Sequence, residues 1–123
     1  MEGLKVWEVE KRKFGYKYED SGLGIKIVSE GTGELPEKGK QVEVHYSGYL
    51  EDGTKFDSSH DRDKTYKFLL GQGRVIKGWD EGISKLKKGT VAWLRIPPEL
   101  GYGSRSAGVI PPNATLYFKI EMQ

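Results

Sequence analysis

Apolar and polar residues alternate with a period of two in several short stretches of this chain. Ile25 and Ile27 alternate with Lys26 and Val28 before the turn residues Glu30-Gly31-Thr32-Gly33. Val42, Val44 and Tyr46 alternate with Glu43 and His45, which predicts a second, longer strand. Glu51-Asp52-Gly53-Thr54 follows as a hairpin-type turn, with Asp-Gly its strongest signal. Tyr66 to Leu70 reads as another short strand. Thr90 to Ile96 sets Val91, Trp93 and Arg95 on one face and Ala92, Leu94 and Ile96 on the other. Pro97-Pro98 ends it, because proline supplies no ladder donor. Ala114 to Met122 is the last expected strand.

Only one segment has a helical period. Ile76, Trp79, Ile83 and Leu86 fall at i, i+3, i+7 and i+10, a single apolar stripe, with Gly89 expected as the C-terminal stop. One short helix among about five antiparallel strands predicts an α+β domain whose sheet wraps across the helix. Gly78 and Gly82 each cost that helix about 1 kcal/mol of propensity. That cost is explicable if strands must approach closely around Trp79.

The first 22 residues keep neither period. They interleave five basic and five acidic residues with Trp7, Phe14, Tyr16 and Tyr18. We read 1–22 as a charged, aromatic extension that docks on or links to a domain spanning 23–123. With 123 residues in all, the chain suffices for one domain. Its 36% hydrophobic and 31% charged residues suit a folded soluble protein.

Net charge is +2, without the basic excess of a nucleic-acid binder. The run Lys85-Leu86-Lys87-Lys88 reads as a solvated helix end. No apolar run approaches the roughly 20 residues of a membrane span. The start carries no apolar signal core, so a cytoplasmic location is the default expectation, with a periplasmic or secreted one if a signal has been removed.

With no cysteine, disulfide scaffolds, thiolate catalysis and cysteine zinc sites are excluded. Gly71 and Gly73 look like the start of a phosphate-cradling loop. Ile76, however, stands where the dinucleotide fingerprint needs its third glycine, and no G-K-S or G-K-T occurs. His45 and His60 lack a metal-ligand spacing; we place His45 on a strand face and His60 in a loop. Ser58-Ser59-His60 puts hydroxyl and imidazole together without a scaffold to orient a triad, so these are expected to be turn residues. Aromatics carry more information. Tyr46, Phe56, Tyr66, Phe68, Trp79, Tyr102 and Phe118 lie on different elements and could all face the helix stripe, as a plain core or as a pocket. Asp57 and Arg62 could pair across a loop.

Four motifs, "VEVHYSGYLEDGTKFDSS" (42–59), "GRVIKGWDEGISKLKKG" (73–89), "IPPELGYG" (96–103) and "VIPPNATLYF" (109–118), occur in one order over roughly residues 23 to 122. Together they strongly resemble the FK506-binding-protein (FKBP-type) family of peptidyl-prolyl cis-trans isomerases. The resemblance implies a half-open antiparallel sheet curled over one helix, with a shallow apolar pocket between them. Trp79 would be its floor, and Tyr46, Phe56, Tyr66, Val75, Ile76 and Phe118 its walls. The Ile76 N–H would bond the carbonyl beside a bound prolyl ring. Asp57 would accept a hydrogen bond, steadied by Arg62 and the Tyr46 hydroxyl. Tyr102 would donate to a substrate carbonyl, with Val109 and Ile110 in a loop closing above. Implied partners are X-Pro polypeptides and FK506- or rapamycin-type macrolides, bound by a monomer without cofactor, nucleic acid or membrane.

The chain departs from the family pattern at Tyr66, where many members carry phenylalanine. It departs again at Ser104–Gly108, a short loop that brings in Arg105 and lacks the histidine some members have there. Both bear on substrate preference. A non-catalytic proline-binding module with the same pocket is the alternative that the residues leave open.

Overall fold

The computed structural model describes residues 14–123, so Trp7 and the charged residues before Phe14 in the extension lie outside it. Seven strands form one antiparallel sheet: β1 (Lys17–Tyr18), β2 (Gly24–Ser29), β3 (Gln41–Tyr49), β4 (Lys55–Ser58), β5 (Tyr66–Leu69), β6 (Val91–Ile96) and β7 (Leu116–Met122). Their order is β1-β2-β6-β7-β3-β4, with β5 also on β3. The predicted α+β fold, a sheet around one short helix, is what the chain adopts. Two strands escape the alternation. β1 has two residues, too few to show a period, and adds to the edge by pairing Lys17 with Ile25. β4 carries an irregularity that breaks its period, since Gly48 pairs with Asp57 and Tyr49 with Lys55, leaving Phe56 between.

β3 and β6 follow their sequence pattern closely. Val42, Val44, Tyr46 and Gly48 point inward on β3, as do Ala92, Leu94 and Ile96 on β6. β2 does not. Ile27 and Val28 are 45% and 56% exposed, because only the start of that strand reaches the core.

Helix α1 spans Lys77–Ile83, shorter than the stripe suggested. Gly89 does not stop it. The Leu86 amide still bonds Ile83 in a turn, but Lys88 N–H donates to Glu34 O and Gly89 N–H to Met122 O. Those long-range partners pull the chain out of helical geometry, so Lys85–Lys88 is a link rather than a helix end. Leu86 nonetheless remains fully buried.

α1 lies in the hollow of the sheet, and its glycines are the reason it can. A Cβ on Gly78 would fall 2.7 Å from Ile96 Cγ2, and one on Gly82 would fall 2.9 Å from Leu94 Cδ1. The helix therefore rests with backbone against strand side chains. That close approach turns Trp79 toward β3 and β7.

Candidate active site

Trp79, 5% exposed, forms the base of a pocket of about 230 Å³ between α1 and the sheet. Tyr46 from β3 meets the indole edge-on at 4.9 Å between centroids, and Phe118 from β7 does so at 5.2 Å. Tyr66 stands at 6.0 Å, also edge-on. Edge-to-face packing of this kind holds rings firmly while leaving an indole face available. The indole Nε1 is buried and has no hydrogen-bond partner among the described residues.

Phe56 and Phe118 close one wall at 90° to each other, over Gly48. A Cβ there would lie 2.6 Å from Phe56 Cζ and 2.7 Å from Phe118 Cε1, so the wall exists only because this strand position lacks a side chain.

The opposite corner is polar. The Tyr46 hydroxyl donates to Asp57 Oδ2 at 2.5 Å. Arg62 donates through Nη2 to the Tyr46 oxygen at 2.7 Å and through Nη1 to Asp57 Oδ1. Burial, then the bond to Asp57, pushes Tyr46 up to about 12 despite the opposing Arg62. For Asp57, partial burial alone would raise the carboxyl. The hydrogen bonds from Tyr46 and Arg62 outweigh it and hold the group below its usual range. Asp57 is thus a carboxylate, and Tyr46 a neutral phenol, throughout the physiological range.

Arg62 reaches this corner because its turn is tied down. The buried Ser59 hydroxyl accepts Tyr46 N–H and pairs with His45 Nδ1, both at 2.8 Å, while Arg62 N–H donates to Ser59 O. His60 stacks on His45 at 4.1 Å and meets Glu121 Oε2 at 2.5 Å. Ser59 therefore serves His45 and the backbone, not its sequence neighbour His60. Asp57 and Arg62 do form the ion pair expected across the loop.

Ile76 caps α1 in an extended conformation, its carbonyl accepting Trp79 N–H and Asp80 N–H. Its own N–H makes no hydrogen bond among the described residues. The preceding glycine loop cradles the chain's own carboxylate. Gly71 N–H donates to Asp80 Oδ1 at 2.9 Å and Gly73 N–H to Asp80 Oδ2 at 3.1 Å. This is why a phosphate-like loop occurs without a phosphate site, and it fixes residues 74–76 at the pocket mouth.

Nine expected residues line the pocket: Tyr46, Phe56, Asp57, Tyr66, Val75, Ile76, Trp79, Tyr102 and Phe118. Arg62 stands behind Asp57. Val109 and Ile110 do not line it: Ile110 is 5% exposed within the core, and Val109 is 66% exposed. Tyr102 is half-exposed at the rim, its phenol raised by partial burial and by the nearby Asp57. Arg74 lines the mouth and was not singled out from the sequence; its place directly before Val75-Ile76 was the available signal. Among the described residues, no group of three or more metal-ligating side chains gathers. No helix there is long and apolar enough to cross a membrane.

An open, ring-lined pocket on an indole floor, with one satisfied polar corner, has the shape and lining to receive a compact apolar ring. Residues 32–123 match the FKBP-type peptidyl-prolyl cis-trans isomerase family. The chain is 53% identical over 102 residues to FK506-binding protein 1 of Dictyostelium discoideum, covering 82% of this chain and 95% of that protein. It is 50% identical over 104 residues to the peptidyl-prolyl cis-trans isomerase Fkbp12 of Drosophila melanogaster, covering 81% and 96%. The crystal structure of AtFKBP13 superposes with a TM-score of 0.84 at 41% identity, covering 89% of this chain and 97% of that one. FkpA from Escherichia coli gives 0.82 at 42%, covering 92% of this chain and 55% of that longer one. The chain belongs to the FKBP-type peptidyl-prolyl cis-trans isomerase family, and its reaction is rotation about X-Pro bonds.

Proposed function

We propose that the substrate prolyl ring lies on the Trp79 indole, walled by Tyr46, Phe56, Tyr66, Val75, Ile76 and Phe118. One observation carries this reading: a buried indole held edge-on by three rings at the base of an open pocket. The Ile76 N–H donates to the carbonyl beside the ring, and the Tyr102 hydroxyl donates to a second substrate carbonyl. Asp57, fixed by Tyr46 and Arg62, is the pocket's hydrogen-bond acceptor.

An X-Pro amide resists rotation by roughly 18–20 kcal/mol and isomerises in tens to hundreds of seconds. That barrier is lost resonance, so the twisted amide is less dipolar than the planar one. An apolar, water-poor pocket disfavours the planar form relative to the twisted form. Raising a rate of ~0.01 per second to ~100 per second requires about 5 kcal/mol. Desolvation, a fixed bound geometry and two hydrogen bonds are sufficient in kind, and no nucleophile takes part.

We assign the isomerase to residues 23–123, supported by a core that begins at Leu23, with 1–22 as an extension whose Lys17–Tyr18 joins the sheet edge. The protein acts on proline-containing polypeptides, as the peptidyl-prolyl isomerase among its relatives suggests, and binds FK506-type macrolides, as the names of two others suggest; rapamycin-type macrolides belong to the same reading. We read the protein as a monomer, cytoplasmic unless a signal peptide has been removed; among the described residues no helix is long and apolar enough to cross a membrane.

The test is the isomerisation rate of short X-Pro peptides with and without such a macrolide. Inhibitable turnover, flat from pH about 6 to 8 because no histidine lines the pocket, is the expected result. Macrolide binding with the peptide rate left at its uncatalysed value would make the protein a proline-binding module instead.

A further inference from the structure

The pocket does not end at its mouth. A second depression, of about 400 Å³, runs on along β5 and is lined by Gln41, Tyr66, Lys67, Phe68, Leu69 and Arg74. Tyr66 and Arg74 line both hollows, so the two adjoin across these side chains. β5 pairs with β3 along one side only, and among the described residues no strand covers its other edge. An extended chain leaving the pocket therefore has a trough with an open strand edge beside it.

The charges along this trough are unequal. Lys67 stands opposite Glu43 in the ladder, and Glu43 also accepts a hydrogen bond from Thr65 at 2.8 Å. Asp57 is occupied by Arg62 and Tyr46, and Asp80 by two backbone amides. Arg74, exposed at the junction, forms no ion pair or side-chain hydrogen bond among the described residues. Its neighbouring carboxylates are thus committed elsewhere. A free guanidinium with a planar fork of donors matches a carboxylate in two-point geometry.

We propose that Arg74 is a specificity determinant that selects substrates bearing an Asp or Glu side chain close to the proline. The inference rests on the prolyl ring occupying the Trp79 pocket. Because an extended chain advances about 3.3–3.6 Å per residue and Arg74 lines the pocket itself, the acidic residue lies within about three positions of the proline.

The experiment compares kcat/KM for X-Pro peptides of fixed length carrying Glu or Gln one, two or three residues to either side of the X-Pro pair. It uses the parent protein, Arg74→Gln and Arg74→Glu. At one position the parent should favour Glu over Gln by about two- to five-fold, the scale of an exposed ion pair. That ratio should fall to one in Arg74→Gln and invert in Arg74→Glu, which should instead favour a Lys peptide. It should also collapse in 1 M salt, where the screening length is about 3 Å. A ratio of one at every position in the parent overturns the proposal, as does a preference that survives Arg74→Gln. Each ratio is internal to one protein, so a change in its general activity does not imitate the effect. Failure to turn over any Gln peptide would sink the isomerase reading, and this proposal with it, a result distinct from a flat ratio.

Discussion

Tyr46 and Asp57 show how one contact sets the state of two groups. The phenol is buried and donates a hydrogen bond to a carboxylate, while Arg62 neutralises that carboxylate from the other side. Because the folded Asp57 sits below its unfolded value of about 3.9, its contribution to stability is present above that value. It is lost as pH falls through the lower, folded value. The gap in melting temperature between the parent and Asp57→Asn should therefore be widest near neutrality and narrow below about pH 4. An unchanged gap at acid pH would mean the carboxylate is not held by this network. At this scale the sequence was informative about chemistry and poor about placement. An Asp five residues before an Arg suggested a pair, and the pair exists. Nothing in residue types alone separated Val109 from Val75, since only the loop's course decides which one meets the pocket.

Helix α1 raises the same question for a whole element, since its glycines weaken it and its packing requires them. Gly78→Ala should gain about 1 kcal/mol of helix propensity. Against this, the new Cβ would meet the side chain of fully buried Ile96 within 2.8 Å at three atoms, and overpacking of this kind costs about 1–3 kcal/mol. Ile96 is held on β6 between β2 and β7, with little room to yield. The expected outcome is a lower melting temperature, checked by thermal unfolding; a rise would mean the helix can lift without cost. The apolar stripe located this helix correctly but overran its end. Leu86 continues the period while belonging to a link drawn off by Glu34 and Met122, contacts that no local pattern encodes. Strands β3 and β6 were legible because each buries one face uniformly. β4 was not, because its irregularity at Phe56 replaces alternation with the displacement that brings this ring to the pocket.

Across the molecule, the ladders join distant parts of the chain. β3 pairs with β7, Tyr46 lying opposite Ile120, and β2 pairs with β6. The pocket draws on residues from Tyr46 to Phe118. Such non-local pairing makes folding slow, because long loops must close before any contact forms. A chain that has not yet docked β7 has no Phe118 wall and no site.

The same chain contains five prolines, and in the unfolded state each X-Pro bond holds roughly 10–30% cis. A molecule waiting on those bonds cannot treat itself, because its pocket does not exist until β3, α1 and β7 have come together. Help must come from a neighbour that has already finished. Refolding should consequently quicken as protein concentration rises, and a macrolide in the pocket should remove the acceleration while leaving the slow basal phase. Each finished copy would then hasten the next, so that the population matures faster than any member of it could alone.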